Sequence, residues 1–493
     1  MGTTQAPPRP RAGLMLGLLA FAQFIVAIDY NIVYIALPDI GSGLDFSAQS
    51  LQWVVSAYAV GFGGLLLFGG RAVDRLGPRR MFMLAMALYG ASSLVGGIAT
   101  NSGVLVAARA VQGIGGALLF PAVLALIFIG FEEGPVRNRA MAVWGATGSA
   151  GLAAGSLLGG VLTDAWGWEA VFLVNVPLAF IGLLLAPRLL PADPARGTGG
   201  SFDVPGAVLG TVGVTLMVFG LASGPEEGWT SLQGMGSIIV GVLLLVGFVV
   251  VEARTREPLA PLRLILNRSQ GPTMIVAFLF MCTLATAFYI FTTYLQPVLG
   301  YSPLKAGMAF LPLAITTSMG GGIASTALLD RVGLRMTLAV GCFFNGIGVG
   351  ALALGMSEGG SYWALVPGII IWGFAGGMAF TAVFTASGAG VAPHEQGVAS
   401  ALVSTSQQIG GAMGLAALVA VANAGLDFDT LPGPTAKEIV DGLQNAGLIA
   451  GALPVIAAAV AMAMKVAPVQ PAIVVADITP PQGKTTDEAV VPN

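Results

Sequence analysis

The sequence predicts an all-α integral membrane protein. Of its 493 residues, 56% are hydrophobic and only 9% are charged, and the mean hydropathy is +0.86. Soluble proteins carry about 25% charged residues, so this chain has too little charge to cover a water-facing surface. Its 71 Gly and 29 Pro residues are scattered through apolar runs, where membrane helices tolerate them. A soluble enzyme is therefore excluded, and a net charge of −3 offers nucleic acid no basic surface.

Apolar runs of about 20 residues, long enough to cross the hydrocarbon core, predict fourteen transmembrane helices. The first run is longer than the core of a signal peptide, so we interpret it as the first membrane helix. Cys282 and Cys342 both lie inside apolar runs and are expected to be buried free thiols. The predicted spans are 13–37, 51–70, 81–99, 104–129, 140–163, 170–186, 207–223, 236–252, 273–296, 305–329, 337–356, 362–390, 398–424 and 446–465.

The distribution of basic residues gives these spans an orientation. All but three of the 21 Lys and Arg residues fall on the side of the N-terminus. The exceptions are Lys305 and Lys437 on the other side and Arg109 within the fourth span. Basic loops stay in the cytoplasm, so both termini are predicted to be cytoplasmic. We expect a multi-pass protein of the cell membrane, specifically a bacterial inner membrane.

Two motifs recur in the chain and predict an internal repeat. The run DRLGPR, from Asp74 to Arg79, follows the second span, and DRVGLR, from Asp330 to Arg335, follows the tenth. Glycines and a phenylalanine of the fourth span, Gly113, Gly116 and Phe120, match Gly373, Gly376 and Phe380 of the twelfth. The predicted organisation is a tail (1–12), a six-helix half (13–186), two extra helices with cytoplasmic loops (187–272), a second six-helix half (273–465) and a tail expected to be disordered (466–493).

Repeated halves are typical of secondary transporters, whose substrate site lies between the repeats. No catalytic cluster is evident, so an enzyme is not expected. The sequence contains no nucleotide-binding phosphate loop, and one His and two Cys are too few for a transition-metal site. We therefore expect no metal and no cofactor, with a proton gradient as the energy source.

Three motifs resemble those of one family. The run GGRAVDRLGPRR, from Gly69 to Arg80, resembles the loop signature of the major facilitator superfamily. Asp29 to Pro38 (DYNIVYIALP) and Arg109 to Ala117 (RAVQGIGGA) resemble the first-helix and fourth-helix motifs of its 14-helix drug:proton antiporter branch, the EmrB/QacA type. The resemblance covers spans one to thirteen. It implies the major facilitator fold, in which two pseudo-symmetric six-helix halves are joined by two inserted helices.

Two charges fall inside the predicted spans. Asp29 lies about 13 Å along the first helix from Pro38, where an ionised carboxylate costs about 2.5–3.5 kcal/mol on insertion scales. Protonation would remove that charge, so Asp29 is the predicted proton-coupling residue; a hydrogen bond between helices is the alternative. Arg109 is predicted to influence Asp29 electrostatically, or else to extend its side chain to the membrane surface. The matching position in the second half is Ile369.

The repeated loop motif predicts a charge-paired latch that holds the halves in one conformation and breaks in the other. Topology alone would explain its arginines but neither Asp74 nor Asp330. The predicted latch residues are Gly70, Arg71, Asp74, Arg75, Gly77, Arg79, Asp330 and Arg331.

Span five carries Gly151, Gly155 and Gly159 at intervals of four, which is typical of close helix packing. The antiporter motif of the family has Gly-Pro here, whereas this chain has Gly155-Ser156. The kink that a proline produces is therefore not expected.

Aromatic and polar residues of the central spans predict an apolar, π-rich substrate cavity, suited to hydrophobic neutral or cationic molecules. The expected function is proton-coupled multidrug efflux by alternating access. The alternatives are a dedicated exporter of one secondary metabolite or lipid, and a non-transporting membrane sensor or channel. Expected partners are a small hydrophobic substrate, protons and the lipid bilayer, without nucleic acid, and the chain is expected to be a monomer. The predicted cavity residues are Tyr30, Asn31, Tyr34, Gln112, Trp144, Asn175, Tyr289, Tyr294 and Trp372.

Overall fold

The computed structural model describes most of the chain. The described residues are 9–47, 49–131, 135–193, 203–255, 258–259, 261–389, 391, 396–426 and 434–464. Helix is the regular structure of this part, which contains no β-strand. Residues 1–8 and 466–493 of the two predicted tails lie outside the described residues.

Seven helices form the N-terminal half. A single 3-10 turn, Ser50–Gln52, precedes the second helix, and a helical Val174 joins the sixth to the seventh (φ −60°, ψ −31°). The helices are α1 (Arg9–Gly43), α2 (Trp53–Leu76), α3 (Pro78–Gly97), α4 (Ser102–Gly130), α5 (Pro135–Trp166), α6 (Ala170–Leu173) and α7 (Asn175–Leu189).

The inserted region follows. Its two long helices, α8 (Val204–Glu227) and α9 (Ser237–Arg254), are antiparallel neighbours. A π-helical turn, Leu232–Gly236, precedes α9, and the short helix α10 (Leu262–Ile265) leads into the second half.

The C-terminal half begins with α11 (Gln270–Thr293) and contains π-helical turns at Tyr294–Val298 and Gly320–Ala324. Its other helices are α12 (Pro303–Ala309), α13 (Leu311–Met319), α14 (Ser325–Gly355), α15 (Tyr362–Gly388), α16 (Gln396–Ala422) and α17 (Ala436–Ala463).

The all-α membrane architecture is confirmed. Among the described residues, 11 helices are long and apolar enough to cross a membrane. The other predicted spans, 81–99, 140–163 and 305–329, correspond to α3, to α5 and to the segment from α12 into the start of α14. These segments do not meet the same criteria of helix length and mean hydropathy. The count of fourteen therefore stays a prediction.

The repeated loop motif has the same backbone turn in both halves. Gly77, between α2 and α3, has φ 97° and ψ 140°. Gly333, which kinks α14, has φ 80° and ψ 168°. Such positive φ values are readily adopted only by glycine. The sequence repeat is thus also a repeat of local structure.

The long helices begin and end at two opposite faces of the molecule. The terminal face is the one at which α1 begins and α17 ends, and the opposite face contains the start of α2 and the end of α5. On the terminal face, the start of α1 packs with the end of α4 through Met15 and Ile127, while Met464 packs with Leu338. At the same face, Arg71 Nη2 of the N-terminal half donates to the carbonyl of Pro258 in the inserted region at 2.9 Å.

Close glycine contacts hold α5 against α1. A methyl group on Gly155 would lie 2.5 Å from the carbonyl oxygen of Ile28, and one on Gly159 would lie 2.8 Å from that of Ile32. Gly151 likewise leaves no room for a side chain beside Ala27. The three glycines therefore form the predicted packing stripe, with α1 as their partner.

The two halves meet near the opposite face. A methyl group on Gly160 of α5 would lie 2.6 Å from the carbonyl oxygen of Pro303, and one on Gly307 would lie 2.6 Å from that of Ser156. The amide of Gln296 also donates to the carbonyl of Ile35 at 2.7 Å. Backbone-to-backbone packing thus brings the halves together at this face.

Candidate functional site

The two charges predicted within the spans form an ion pair. Asp29 of α1 is 0% exposed and Arg109 of α4 is 2% exposed. Arg109 Nη1 donates to Asp29 Oδ2 at 2.7 Å. Arg109 therefore does not extend to the membrane surface but points into the N-terminal half.

Two amide side chains complete the environment of the carboxylate. Gln112 Nε2 donates to Asp29 Oδ1 at 2.8 Å, and Asn175 Nδ2 donates to the same oxygen at 2.9 Å. Asp29 thus accepts three hydrogen bonds, from α4 and α7. Sequence analysis assigns Gln112 and Asn175 to the cavity; the structure places both against Asp29.

Arg109 is fixed by neutral acceptors as well as by Asp29. Its Nε donates to the carbonyl of Val54 at 2.8 Å, and its Nη1 also donates to Gln112 Oε1 at 2.7 Å. Gln112 Nε2 donates further to Ser93 Oγ of α3 at 2.9 Å. The network therefore joins five helices, α1, α2, α3, α4 and α7. Ser93 and the carbonyl of Val54 carry no sequence signal, because neither belongs to a recognisable motif.

Aromatic rings cover the guanidinium. Its central carbon lies 4.6 Å from the ring centroid of Tyr58 and 5.9 Å from that of Phe172. Cation–π contacts of this kind stabilise a desolvated cation by about 2 kcal/mol. The positive charge of Arg109 therefore has partners that do not depend on the ionisation of Asp29.

The charges of Asp29 and Arg109 depend on each other. Burying one charge of a pair without the other is strongly unfavourable, so the ionised carboxylate and the guanidinium stabilise each other. A proton on Asp29 would cancel one charge and leave Arg109 with the carbonyl, amide and aromatic partners. Gain or loss of one proton thus changes the attraction between α1 and α4.

The second half lacks a counterpart. Ile369, at the position that matches Arg109, is 0% exposed in an apolar cluster. The ion pairs of Arg109 with Asp29 and of Arg80 with Asp193 each include a residue of the N-terminal half. The same part holds no group of three or more His, Cys, Asp or Glu that could bind a metal ion.

Most predicted aromatic cavity residues are packed together where the halves meet. The ring centroid of Phe288 lies 5.4 Å from those of Tyr34, Phe310 and Trp372 alike. Tyr289 and Tyr294 belong to the same apolar cluster. In this conformation these rings join the halves rather than line an open space.

Of the other predicted cavity residues, Tyr30 and Asn31 lie on α1 and Trp144 lies on α5. Tyr30 is partly buried where three apolar clusters meet, and Trp144 packs against Phe120, with ring centroids 5.7 Å apart. Asn31 Nδ2 donates to Ser156 Oγ at 3.2 Å. The serine that replaces the motif proline therefore hydrogen-bonds α1 to α5.

The predicted latch is described in part. The side chains of Asp74 and Asp330 lie outside the described residues. Arg71 binds the carbonyl of Pro258, Arg75 and Arg79 are partly buried, and Arg331 is exposed. A methyl group added to Gly70 would meet no neighbouring atom within 4 Å. The latch stays a prediction.

One residue outside the motif anchors this loop. Asp193, just after α7, accepts the backbone N–H groups of Arg79 at 2.9 Å and Arg80 at 3.0 Å, and so caps α3. A side chain at Gly77 would overlap the carboxylate of Asp193. The sequence gives no signal for this contact, because Asp193 is distant in sequence from the loop that it caps and belongs to no recognisable motif.

Two repeated helical halves, with a buried acid–base pair in one of them, define a membrane protein built like a secondary transporter. The sequence profile of the Major Facilitator Superfamily matches residues 19–415. The chain belongs to this superfamily, as its motifs predict.

Individual proteins of known sequence or structure are also similar to this chain. The chain is 39% identical to a puromycin resistance protein of Streptomyces alboniger over 444 residues, covering 88% of each chain. It is 37% identical to a cephamycin export protein of Amycolatopsis lactamdurans over 412 residues, covering 83% of this chain and 85% of the relative. A solved peptide transporter in complex with sulfate has a similar fold, with a TM-score of 0.66 and 17% identity, over 92% of this chain and 96% of that one.

Proposed function

We propose that this protein is a proton-driven exporter of hydrophobic small molecules, an antiporter that works by alternating access. The observation that carries the proposal is the fully buried Asp29 carboxylate, paired with Arg109 and hydrogen-bonded by Gln112 and Asn175. A bilayer-depth acid is costly for a purely structural helix, whereas a proton-coupled transporter needs such a group.

Transport would be coupled to protons because ionised and protonated Asp29 favour different conformations of the protein. With Asp29 ionised, the ion pair holds α1 and α4 together; with Asp29 protonated, that attraction is lost and a different arrangement of the two helices becomes accessible. Because α1 also carries Tyr30, Asn31 and Tyr34, a movement of α1 would alter the contacts available to cargo. Proton uptake on one side and release on the other would then drive export.

The cargo class follows from the residues around the central region. Tyr34, Phe288 and Trp372 come from both halves and pack on one another here, so their rings would face the space that opens when the halves part. Asn31 supplies an amide about one helical turn before Tyr34 on α1. Rings bind flat hydrophobic and cationic molecules, and the buried carboxylate of Asp29 is already paired with Arg109, which disfavours dications.

The test is transport into proteoliposomes by wild type and Asp29→Asn, with Asp39→Asn as control. Asp39 is on the same helix but outside the ion pair. We expect Asp29→Asn to abolish accumulation driven by a pH gradient while retaining exchange of labelled for unlabelled cargo, because exchange needs no net proton movement. Asp39→Asn should keep both activities. Full gradient-driven accumulation by Asp29→Asn would overturn the proposal.

A second candidate is the export of one dedicated antibiotic. It is favoured by two relatives whose names each specify a single compound, puromycin and cephamycin. Expression of this chain in a drug-sensitive host, challenged with a panel of unrelated hydrophobic drugs, separates the candidates. Resistance to one structural class would favour the dedicated exporter, whereas resistance to several would favour multidrug efflux.

A further inference from the structure

A groove on the outside of the N-terminal half is unrelated to the ion pair. It lies between α2, α4 and the inserted helix α8 and has a volume of about 570 Å³. This size falls within the range of about 300–1,000 Å³ that is usual for ligand sites. The groove runs from Ser102 to Ile114 along α4, which is about 18 Å at 1.5 Å per residue. The hydrocarbon of one membrane leaflet is about 15 Å deep, so the groove spans about one leaflet.

The lining of the groove is neutral and largely apolar. Its floor consists of small residues, Ala57 and Gly61 of α2 with Ala107 and Ala110 of α4. No Asp, Glu, Lys, Arg or His is among the lining residues. At one edge Trp53 and Phe219 approach each other, with ring centroids 6.3 Å apart, and connect α2 to α8.

The two threonines that α8 contributes offer little to a polar ligand. Thr211 Oγ1 donates to the carbonyl of Gly64 at 3.0 Å, and Thr215 Oγ1 donates to the carbonyl of Thr211 at 2.7 Å. Their hydroxyl hydrogens are therefore already used. The polar side chains at the opposite-face mouth are Ser50 and Ser102, with Ser50 Oγ already hydrogen-bonded within its own turn.

The floor is closed toward the ion pair. A methyl group on Gly61 would lie 2.5 Å from the carbonyl oxygen of Ala110, so α2 and α4 are in backbone contact there. A methyl group on Gly113 would likewise overlap the carbonyl of Tyr58. A molecule in the groove cannot pass between these helices to Asp29, which argues against a cargo entrance.

We propose that this groove binds one acyl chain of a phospholipid from the leaflet at the opposite face. The neutral lining matches a hydrocarbon chain, the depth matches one leaflet, and the polar mouth lies where the ester groups of that leaflet begin. With no basic side chain in the lining, the chain rather than the headgroup is recognised. The inserted helix α8 thus provides one wall of a lipid site on the first half.

Native mass spectrometry of the purified full chain tests the proposal, with Ala107→Trp as the variant and Leu184→Trp as its control. Ala107 is exposed in the groove, so a tryptophan there fills it; Leu184 is an exposed apolar residue of α7 (53%) outside the groove. We expect wild type and Leu184→Trp to retain one phospholipid and Ala107→Trp to lose it. Equal retention of lipid by all three proteins would refute the site.

A second measurement uses the wild-type fold. In liposomes containing phospholipid with brominated acyl chains, which quench tryptophan on contact, Trp53 should contribute to the quenched emission, and Trp53→Phe should remove that contribution. Brominated free fatty acid should quench Trp53 no better than brominated phospholipid. Preferential quenching by the fatty acid, displacement of the lipid by a transported drug, or an unquenched Trp53 would each overturn the proposal.

Discussion

At the scale of residues, hydrogen bonds from several helices hold the buried ion pair in place. Asp29 accepts from Arg109, Gln112 and Asn175, and Arg109 in turn donates to Val54 and Gln112. Each amide of this network uses its hydrogens on a charged or polar acceptor. Asn175 Oδ1 has no hydrogen-bond partner, but the two charges compensate each other, so the network is stable with both charges present and vulnerable when one is removed.

Arg109→Gln should therefore destabilise the protein more than the double variant Asp29→Asn with Arg109→Gln. The single variant leaves a buried carboxylate without its cation, a loss of about 3–5 kcal/mol, whereas the double variant leaves two neutral amides. The measurement is the unfolding midpoint of each purified protein in detergent, with Asp29→Asn completing the cycle.

The control is the same cycle on a pair with one exposed partner, Asp193→Asn with Arg80→Gln, since Arg80 Nε and Asp193 Oδ2 lie 3.9 Å apart. The Asp193 side chain is 4% exposed and caps α3, so its single variant also weakens that cap. Arg80 is 55% exposed there, so a coupling of at most about 1 kcal/mol is expected. Equal stability of Arg109→Gln and the double variant would show that Asp29 and Arg109 are not coupled.

How far the site could be predicted differs between its residues. Asp29 and Arg109 stand out in the sequence because a charge inside an apolar run is rare. Their contact could not be derived, because it depends on the rotation of α1 and α4 about their axes. Gln112 and Asn175 are uncharged, so hydropathy alone cannot separate a ligand of Asp29 from a cavity residue.

At the scale of elements, glycines decide how closely helices approach, and their spacing is visible in the sequence. Gly151, Gly155 and Gly159 are predicted as a packing stripe and lie against α1. Their partner could not be predicted, since small residues define an approach distance but not a neighbour. The cap that Asp193 forms on α3 could not be predicted either, because Asp193 is distant from α3 in sequence and belongs to no motif.

Gly160→Ala should separate the halves at the opposite face. Its new methyl group would lie 2.6 Å from the carbonyl oxygen of Pro303 and 2.9 Å from the Cα of Leu304. Because backbone atoms cannot move aside as a side chain can, α5 and α12 must part, which favours conformations open at that face. Gly145→Ala on the same helix is the control, since nothing lies within 4 Å of its added methyl.

The measurement is maleimide labelling of a cysteine at Leu158, which is partly buried in the cluster shared by the halves. Combined with Leu158→Cys, Gly160→Ala should speed labelling several-fold and Gly145→Ala should leave the rate unchanged. Unchanged labelling with Gly160→Ala would mean that this contact does not close the opposite face.

At the scale of the whole molecule, the inserted helices distinguish a membrane protein of fourteen spans from one of twelve. Along α9, large apolar side chains point away from the protein: Leu243 is 63% exposed and Val246 is 56% exposed. Only Gly241 and Glu252 are buried in this helix. Large exposed apolar surface marks contact with a membrane or with another protein, and the length and hydropathy of α9 suit a membrane span. We therefore expect α9 to cross the bilayer.

The ends of the pair support the same orientation. Trp229, between α8 and α9, is 46% exposed, and tryptophan is typical of the membrane–water interface. Arg254 ends α9 and belongs to the basic residues predicted to stay in the cytoplasm. If both helices cross, Thr230 and Arg254 must lie on different sides of the membrane.

Single cysteines at these two positions test that topology in intact cells. Thr230 and Arg254 are exposed, whereas the native Cys282 and Cys342 are buried and should react little. A membrane-impermeant maleimide should label Thr230→Cys in intact cells and Arg254→Cys only after permeabilisation. If both cysteines react only after permeabilisation, α8 and α9 do not span the membrane. The groove would then lack the wall that α8 provides within the bilayer and could not hold an acyl chain, so the topology of the inserted pair decides both the span count and the lipid site.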